Sequence, residues 1–147
     1  MKIAIASDHA GFALKSHLAE TLAAQGHEVV DLGADGSDSV DYPQYARPAA
    51  ELVGSGEAER GVLVCGSGNG VAIVANKVAG VRAVNAHDAD EAEMCRRHND
   101  ANVVTLSGAR LSDDEADLIV ARFLGTDFDG GRHARRVNQI TAMESSA

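Results

Sequence analysis

Apolar residues recur along this chain in two alternating rhythms. The runs "KIAIAS" (2–7), "HEVVDLG" (27–33), "RGVLVCG" (60–66), "VRAVNA" (81–86) and "NVVTLSG" (102–108) are short and rich in Val, Ile and Leu, as strands are. Between them the apolar spacing lengthens. Phe12, Leu14, Leu18, Leu22 and Ala23 recur near the helical period after the first run, and Gly26 stands where a helix ends. "QYARPAAELVGSG" (44–56) predicts a short helix, and "NGVAIVANKVAG" (69–80) predicts one closed by Gly80. "DADEAEMCRRHND" (88–100) begins with acids and ends in Arg96, Arg97 and His98, the order a helix dipole favours. "SDDEADLIVARFLG" (112–125) opens on a capping box, Ser112 with Glu115. A last helix of mixed polarity is expected over 131–146, and residues 34–43 read as a loop.

Five strand-then-helix units in sequence imply a parallel sheet joined by right-handed crossovers. The expected architecture is a three-layer α/β/α, Rossmann-like fold with a five-stranded parallel sheet. No linker or repeat interrupts the 147 residues, so a single domain is expected over 1–147, ending in a C-terminal helix at about 131–145. The net charge of −9 argues against nucleic acid as a partner, because that contact rests on Lys and Arg neutralising phosphates. No apolar run approaches the ~20 residues of a membrane span. The amino-terminal run is too short for a signal peptide, and two cysteines make no disulfide framework. A reducing, cytoplasmic setting is the expectation.

In folds of this kind ligands bind at the carboxyl ends of the strands. The first strand ends in Ser7-Asp8-His9-Ala10-Gly11 and the third in Cys65-Gly66-Ser67-Gly68-Asn69-Gly70; the fourth ends near Asn85 and His87. His98, Asn99 and Asp100 stand at the entry to the fifth. An acid, two histidines and a thiol are therefore expected to converge on one sheet edge.

The glycine turn matches no common phosphate fingerprint. Counted from Gly66 and Gly68, the third glycine of G-x-G-x-x-G falls on Val71. The Lys and Ser/Thr of a P-loop are absent after Gly70, and the arginine of a cysteine-phosphatase loop would also be Val71. Two readings remain: a nest of inward-turned amides for an anion, or a tight turn that permits close packing. Cys65 is likewise either an inert buried thiol or a thiolate stabilised at a helix start, with Ser67 in reach of the sulfur.

Arg132 and Arg136 are four apart and share a helical face, a spacing suited to a phosphate or to a solvated surface. Arg135 and Arg110 are further cations, while His17 and His27 read as surface residues. The six histidines form no H-x-x-x-H pair and the cysteines no C-x-x-C, so a metal site has little support.

Taken in order, "SDHAGFALK", "DYPQYA", "CGSGNG…ANK", "RAV", "RRHNDANV" and "GGRHARRV" resemble the B-type ribose-5-phosphate isomerases, which group with the galactose-6-phosphate isomerase subunits. The resemblance runs from Lys2 to about Ala142. It implies aldose–ketose isomerisation through a cis-enediolate, with no metal and no cofactor. By that similarity Cys65 would be the base, Ser67 would orient it, and the amides from Gly66 through Gly68 and Asn69 to Gly70 would hold the enediolate oxygen. His98 would open the sugar ring, Asp8 would hold sugar hydroxyls, and Asn99 the sugar or enediolate. His9, Arg132 and Arg136 would hold the phosphate, with Arg110 and His133 as further candidates, and Tyr42 would line the pocket.

The resemblance also implies a homodimer or homotetramer with sites between subunits and the C-terminal helix at the interface. Alternatives are an isomerase of a hexose or tetrose phosphate (galactose 6-, allose 6- or erythrulose 4-phosphate) and a non-catalytic sugar-phosphate-binding module. Two departures bear on the site. Some relatives place a glutamate base just after the turn, where this chain has Val71, so the cysteine form is the consistent one. Ser107 reads as an extra residue before "GAR" and would shift Arg110, and the acidic stretch "NAHDADEAEMC" is unexpected.

Overall fold

The computed structural model describes residues 1–145. Its elements in chain order are β1 (Lys2–Ser7), α1 (Phe12–Ala24), β2 (Glu28–Asp31), α2 (Pro43–Gly54), β3 (Arg60–Cys65), α3 (Asn69–Asn76), β4 (Ala83–Asn85), α4 (Ala89–Asn99), β5 (Val103–Ser107), α5 (Asp113–Leu124) and α6 (Arg132–Glu144). Ser146, the end of the last predicted helix, lies outside the described residues. The strands are all parallel in the order β2-β1-β3-β5-β4.

Alternation along the buried strands sorts the core into two faces. Ile3, Ile5, Val62, Val64, Val104 and Leu106 pack under α1, α4 and α5. Ala4, Ala6, Leu63, Cys65 and Val103 pack under α2 and α3. The first crossover, α1, therefore covers one face and the second, α2, the other. Their divergence leaves a crevice between the carboxyl ends of β1 and β3, the topological switch point of the sheet.

Several boundaries differ from the sequence expectation, each for a local reason. α3 ends at Asn76 rather than near Gly80. The Asn76 amide exchanges two hydrogen bonds with the main chain of Ala83, at 2.9 and 2.8 Å, and so stitches the helix end to β4. β4 shrinks to three residues. The acidic stretch after it is engaged locally: Asp88 caps α4 by accepting from the Glu91 amide, Glu91 accepts from His87, and Glu93 pairs with Arg97 and Arg122.

Three buried or half-buried cations have structural duties that periodicity did not reveal. Lys15 is 2% exposed and donates to both carboxylate oxygens of Asp31 and, at 2.7 Å, to the Ala34 carbonyl. Arg96, 3% exposed, donates to Asp100, to the Ala101 carbonyl and to the Thr126 carbonyl. Its neighbour Arg97 pairs with Asp129. Together the two arginines tie the segment before α6 to the end of α4.

His17 is not an idle surface residue. Its Nε2 lies 2.8 Å from Asp117 and its Nδ1 3.6 Å from Asp113, joining α1 to α5. The Asp117 hydrogen bond, with further help from the charges of Asp117, Asp113 and Glu20, raises the imidazole above its ordinary range. A raised folded-state value means stability present below about pH 6.5 and lost as pH climbs through the folded value. His17→Ala should therefore lower Tm at pH 5.5, by no more than about 3 °C for a partly exposed pair, and much less at pH 8.5. Thermal melts of both proteins at the two pH values check it, and an equal loss at both would rule the linkage out.

Candidate active site

The switch point gathers one set of the candidate residues. β1 delivers Asp8, 7% exposed, whose carboxylate accepts from the Gly11 amide at 3.0 Å. His9 follows, and its Nδ1 accepts from the Val40 amide at 3.1 Å. In the neutral ring that fixes the hydrogen on Nε2, leaving a donor for a ligand.

β3 delivers Cys65, 4% exposed, and the glycine turn beyond it. The Cys65 sulfur accepts from the Gly68 amide at 3.2 Å. The Ser67 hydroxyl does not reach the sulfur; it accepts from the Asn69 amide at 3.1 Å. The expected Ser67–Cys65 contact is thus replaced by an amide–sulfur contact. The amides of Gly66, Ser67, Gly70 and Val71 have no hydrogen-bond partner among the described residues. The anion-nest reading of the turn thereby gains its donors.

Tyr42, at the start of α2, closes this crevice. Its ring lies where a Cβ on Gly70 would sit, 2.7 Å from that position, so Gly70 is what lets it approach. Arg110 is exposed in the turn after β5 and makes no ion pair among the described residues. Ser107, the residue ahead of "GAR", belongs to the strand and not to the turn. It is the last residue of β5, in register with Cys65, and its hydroxyl donates to the Gly66 carbonyl at 2.6 Å.

The remaining candidates lie elsewhere, which corrects the expectation of one convergent edge. α4 runs antiparallel to the strands and brings His98 and Asn99 to the amino end of β5. Arg82, just ahead of β4, donates to the Asn99 and Asp100 carbonyls there. β3 is six residues long, so this end lies about 17 Å from Cys65.

A second set assembles at that end. The His98 and His133 rings stack with centroids 4.3 Å apart and planes 10° apart. Arg132 and Arg136 flank them at the start of α6 and form no ion pair among the described residues. Burial first, then the charges of His98, Arg132 and Arg136, push the His133 imidazole below its ordinary range. His98, Asp129 and His133 also bring three possible metal-ligand atoms within 4.8 Å of one another, a cluster no sequence spacing announced. Asp129 already pairs with Arg97, and two arginines stand beside His133, so the local charge suits an anion better than a cation.

A buried thiol beside free amides at a switch point is where an α/β fold can bind a small anionic ligand. Comparison with known proteins narrows the class. The family model described as Ribose/Galactose Isomerase matches residues 3–140, and the chain belongs to that family. It is 43% identical over 143 residues to ribose-5-phosphate isomerase B of Escherichia coli K12, covering 97% of this chain and 96% of that protein. Among solved structures, ribose-5-phosphate isomerase B of Clostridium thermocellum superposes with a TM-score of 0.97 at 46% identity, over 99% of both chains. That of Mycoplasma genitalium, solved with ribulose-5-phosphate bound, superposes with a TM-score of 0.95 at 40% identity, over 99% of this chain and 97% of that one. No helix among the described residues is long and apolar enough to cross a membrane.

Proposed function

We propose that the protein interconverts D-ribose 5-phosphate and D-ribulose 5-phosphate by proton transfer through a cis-enediolate, with no metal or cofactor. The carrying observation is the Cys65 sulfur held by the Gly68 amide beneath a turn of free amides. The Cys65 thiolate takes the proton from C2 of the open-chain aldose and returns it to C1, while a proton passes from the C2 hydroxyl to the C1 oxygen. The free amides of the glycine turn hold the enediolate oxygen, which bears more negative charge than the carbonyl it replaces. Asp8 holds the sugar hydroxyls. His98 opens the furanose by moving a proton from the anomeric hydroxyl to the ring oxygen. Arg132 and Arg136, with His9 Nε2 and His133, hold the phosphate, and Tyr42 walls the pocket. The close similarity to a protein solved with ribulose-5-phosphate supports this choice of sugar.

The two residue sets stand one strand-length apart within a chain, so a complete site needs two chains. We infer a homodimer, alone or paired into a tetramer, in which His98, Asn99 and the α6 arginines of one subunit meet Cys65 of its partner. The face beside Asn99 supports that assembly. Val81, Val84, Ile140 and Met143 line a groove of about 470 Å³ there, and Ile140 and Met143 are 45% and 71% exposed. The chain then works as one domain whose C-terminal helix meets the partner. The two free, buried cysteines accord with a reducing, cytoplasmic compartment.

Assay of the purified protein against pentose, hexose and tetrose phosphates without added metal tests the reaction, and turnover of none of them overturns it. Subunit mixing tests the shared site. Cys65→Ala and His98→Asn homodimers should each be nearly inactive on ribose 5-phosphate. Dissociated and reassembled together, they should regain about a quarter of wild-type activity, since about half the dimers are mixed and each holds one intact site. No recovery from a mixture shown to exchange subunits would place the whole site within one chain.

A further inference from the structure

Three successive carbonyls of the glycine turn are tied from behind by side chains of the two neighbouring strands. The Ser107 hydroxyl donates to the Gly66 carbonyl at 2.6 Å. The Asn85 amide donates to the Ser67 carbonyl at 3.2 Å, and the Thr105 hydroxyl to the Gly68 carbonyl at 2.8 Å. Ser107 pairs in register with Cys65, and Asn85 with Thr105, so all four side chains belong to one face of the sheet. Thr105 and Ser107 are 0% and 2% exposed, and both hydroxyls donate to the turn carbonyls.

A trans peptide is planar, and its C=O and N–H point in opposite directions. Tying a carbonyl therefore aims the amide of the next residue. The Gly66 carbonyl shares its plane with the Ser67 amide, which is free for a ligand. The Ser67 carbonyl shares its plane with the Gly68 amide, which donates to the Cys65 sulfur. The Gly68 carbonyl shares its plane with the Asn69 amide, which donates to the Ser67 hydroxyl.

We propose that Asn85, Thr105 and Ser107 are positioning residues that set the three peptide planes of the turn. Asn85 aims the Gly68 amide at the sulfur, Thr105 fixes the Ser67 hydroxyl through Asn69, and Ser107 directs the Ser67 amide to the substrate oxygen. The inference rests on the reading of Cys65 as the base, and it assigns the tuning of that base to a residue of β4 that acts on it through the Ser67–Gly68 peptide. Asn85 also donates to the Asn69 side-chain oxygen at 2.7 Å, which braces its amide between two acceptors.

The test is the thiolate itself, with no sugar involved. Iodoacetamide alkylation of Cys65, followed by peptide mass spectrometry, is measured at pH 7 and pH 10 in wild type and Asn85→Leu. The pH 10 rate corrects for access, and mapping separates Cys95, whose buried thiol is pushed up to about 11. The ratio of the pH 7 rate to the pH 10 rate should fall about tenfold in Asn85→Leu, as expected for losing a hydrogen bond to a charged group. An unchanged ratio in a folded variant overturns the proposal.

Should Asn85→Leu not fold, Thr105→Val serves as a second variant. It should lower kcat for ribose 5-phosphate about tenfold with KM little changed, and Thr105→Ser should restore it. A loss in Thr105→Val that Thr105→Ser fails to restore, or no loss at all, also overturns the proposal. If instead Cys65→Ala keeps full activity while the alkylation ratio falls as expected, the base assignment fails and the positioning role stands.

Discussion

Cys65→Ala is expected to fold and to lose about 10³-fold in kcat for ribose 5-phosphate, the scale of a removed general base. KM should change only a few-fold, because the proposed site draws its sugar and phosphate contacts from Asp8, His9 and the partner's cations rather than from sulfur. The structure makes this a clean experiment. The thiol is small and buried, its sulfur has one amide donor, and alanine removes little volume from the face it shares with Leu63 and Val103. Circular dichroism melts confirm the fold, and steady-state kinetics read the loss. Wild-type turnover in the folded variant would remove Cys65 from the chemistry.

Gly68→Ala should be nearly as damaging, for a different reason. Gly68 has φ of +82°, a region costly for any residue with a Cβ. A Cβ would also lie 2.3 Å from the Asn85 side-chain oxygen and 3.0 Å from the Leu106 carbonyl carbon. The Leu106 backbone is fixed in the sheet, and Asn85 cannot retreat without releasing Ser67 and Asn69. The turn must therefore rotate, taking the Gly68 amide off the sulfur and disordering the nest. A loss of about 10²-fold in kcat follows from one misaligned donor set, with about 2 kcal/mol of stability lost to the strained backbone. Gly26→Ala is the control: φ is +92° with nothing within 4 Å of the new methyl, so stability falls and activity does not. Full activity in Gly68→Ala would leave the turn a packing device only.

The sheet was legible because strands that are buried on both faces write themselves as unbroken apolar runs. The switch-point residues followed, since chain order alone puts Asp8 and Cys65 at carboxyl ends. His98 was misplaced because the residue preceding a strand stands at the opposite edge from the residue that follows one, and only the direction of α4 reveals it. Lys15 and Arg96 look like ordinary helix-surface cations in sequence; their burial depends on acids and carbonyls supplied by other elements. Thr105 and Ser107 did carry a signal. Two hydroxyls at alternate positions of a buried strand must each find an acceptor, and the nearest carbonyls on that face belong to the glycine turn.

The path of α4 has a consequence for behaviour in dilute solution. Because it carries His98 a strand-length away from the sulfur of its own chain, each folded subunit would, with the proposed shared site, hold two unmatched halves of an enzyme. Dilution should then silence the protein without unfolding it, and specific activity should rise with protein concentration until every half has found its complement.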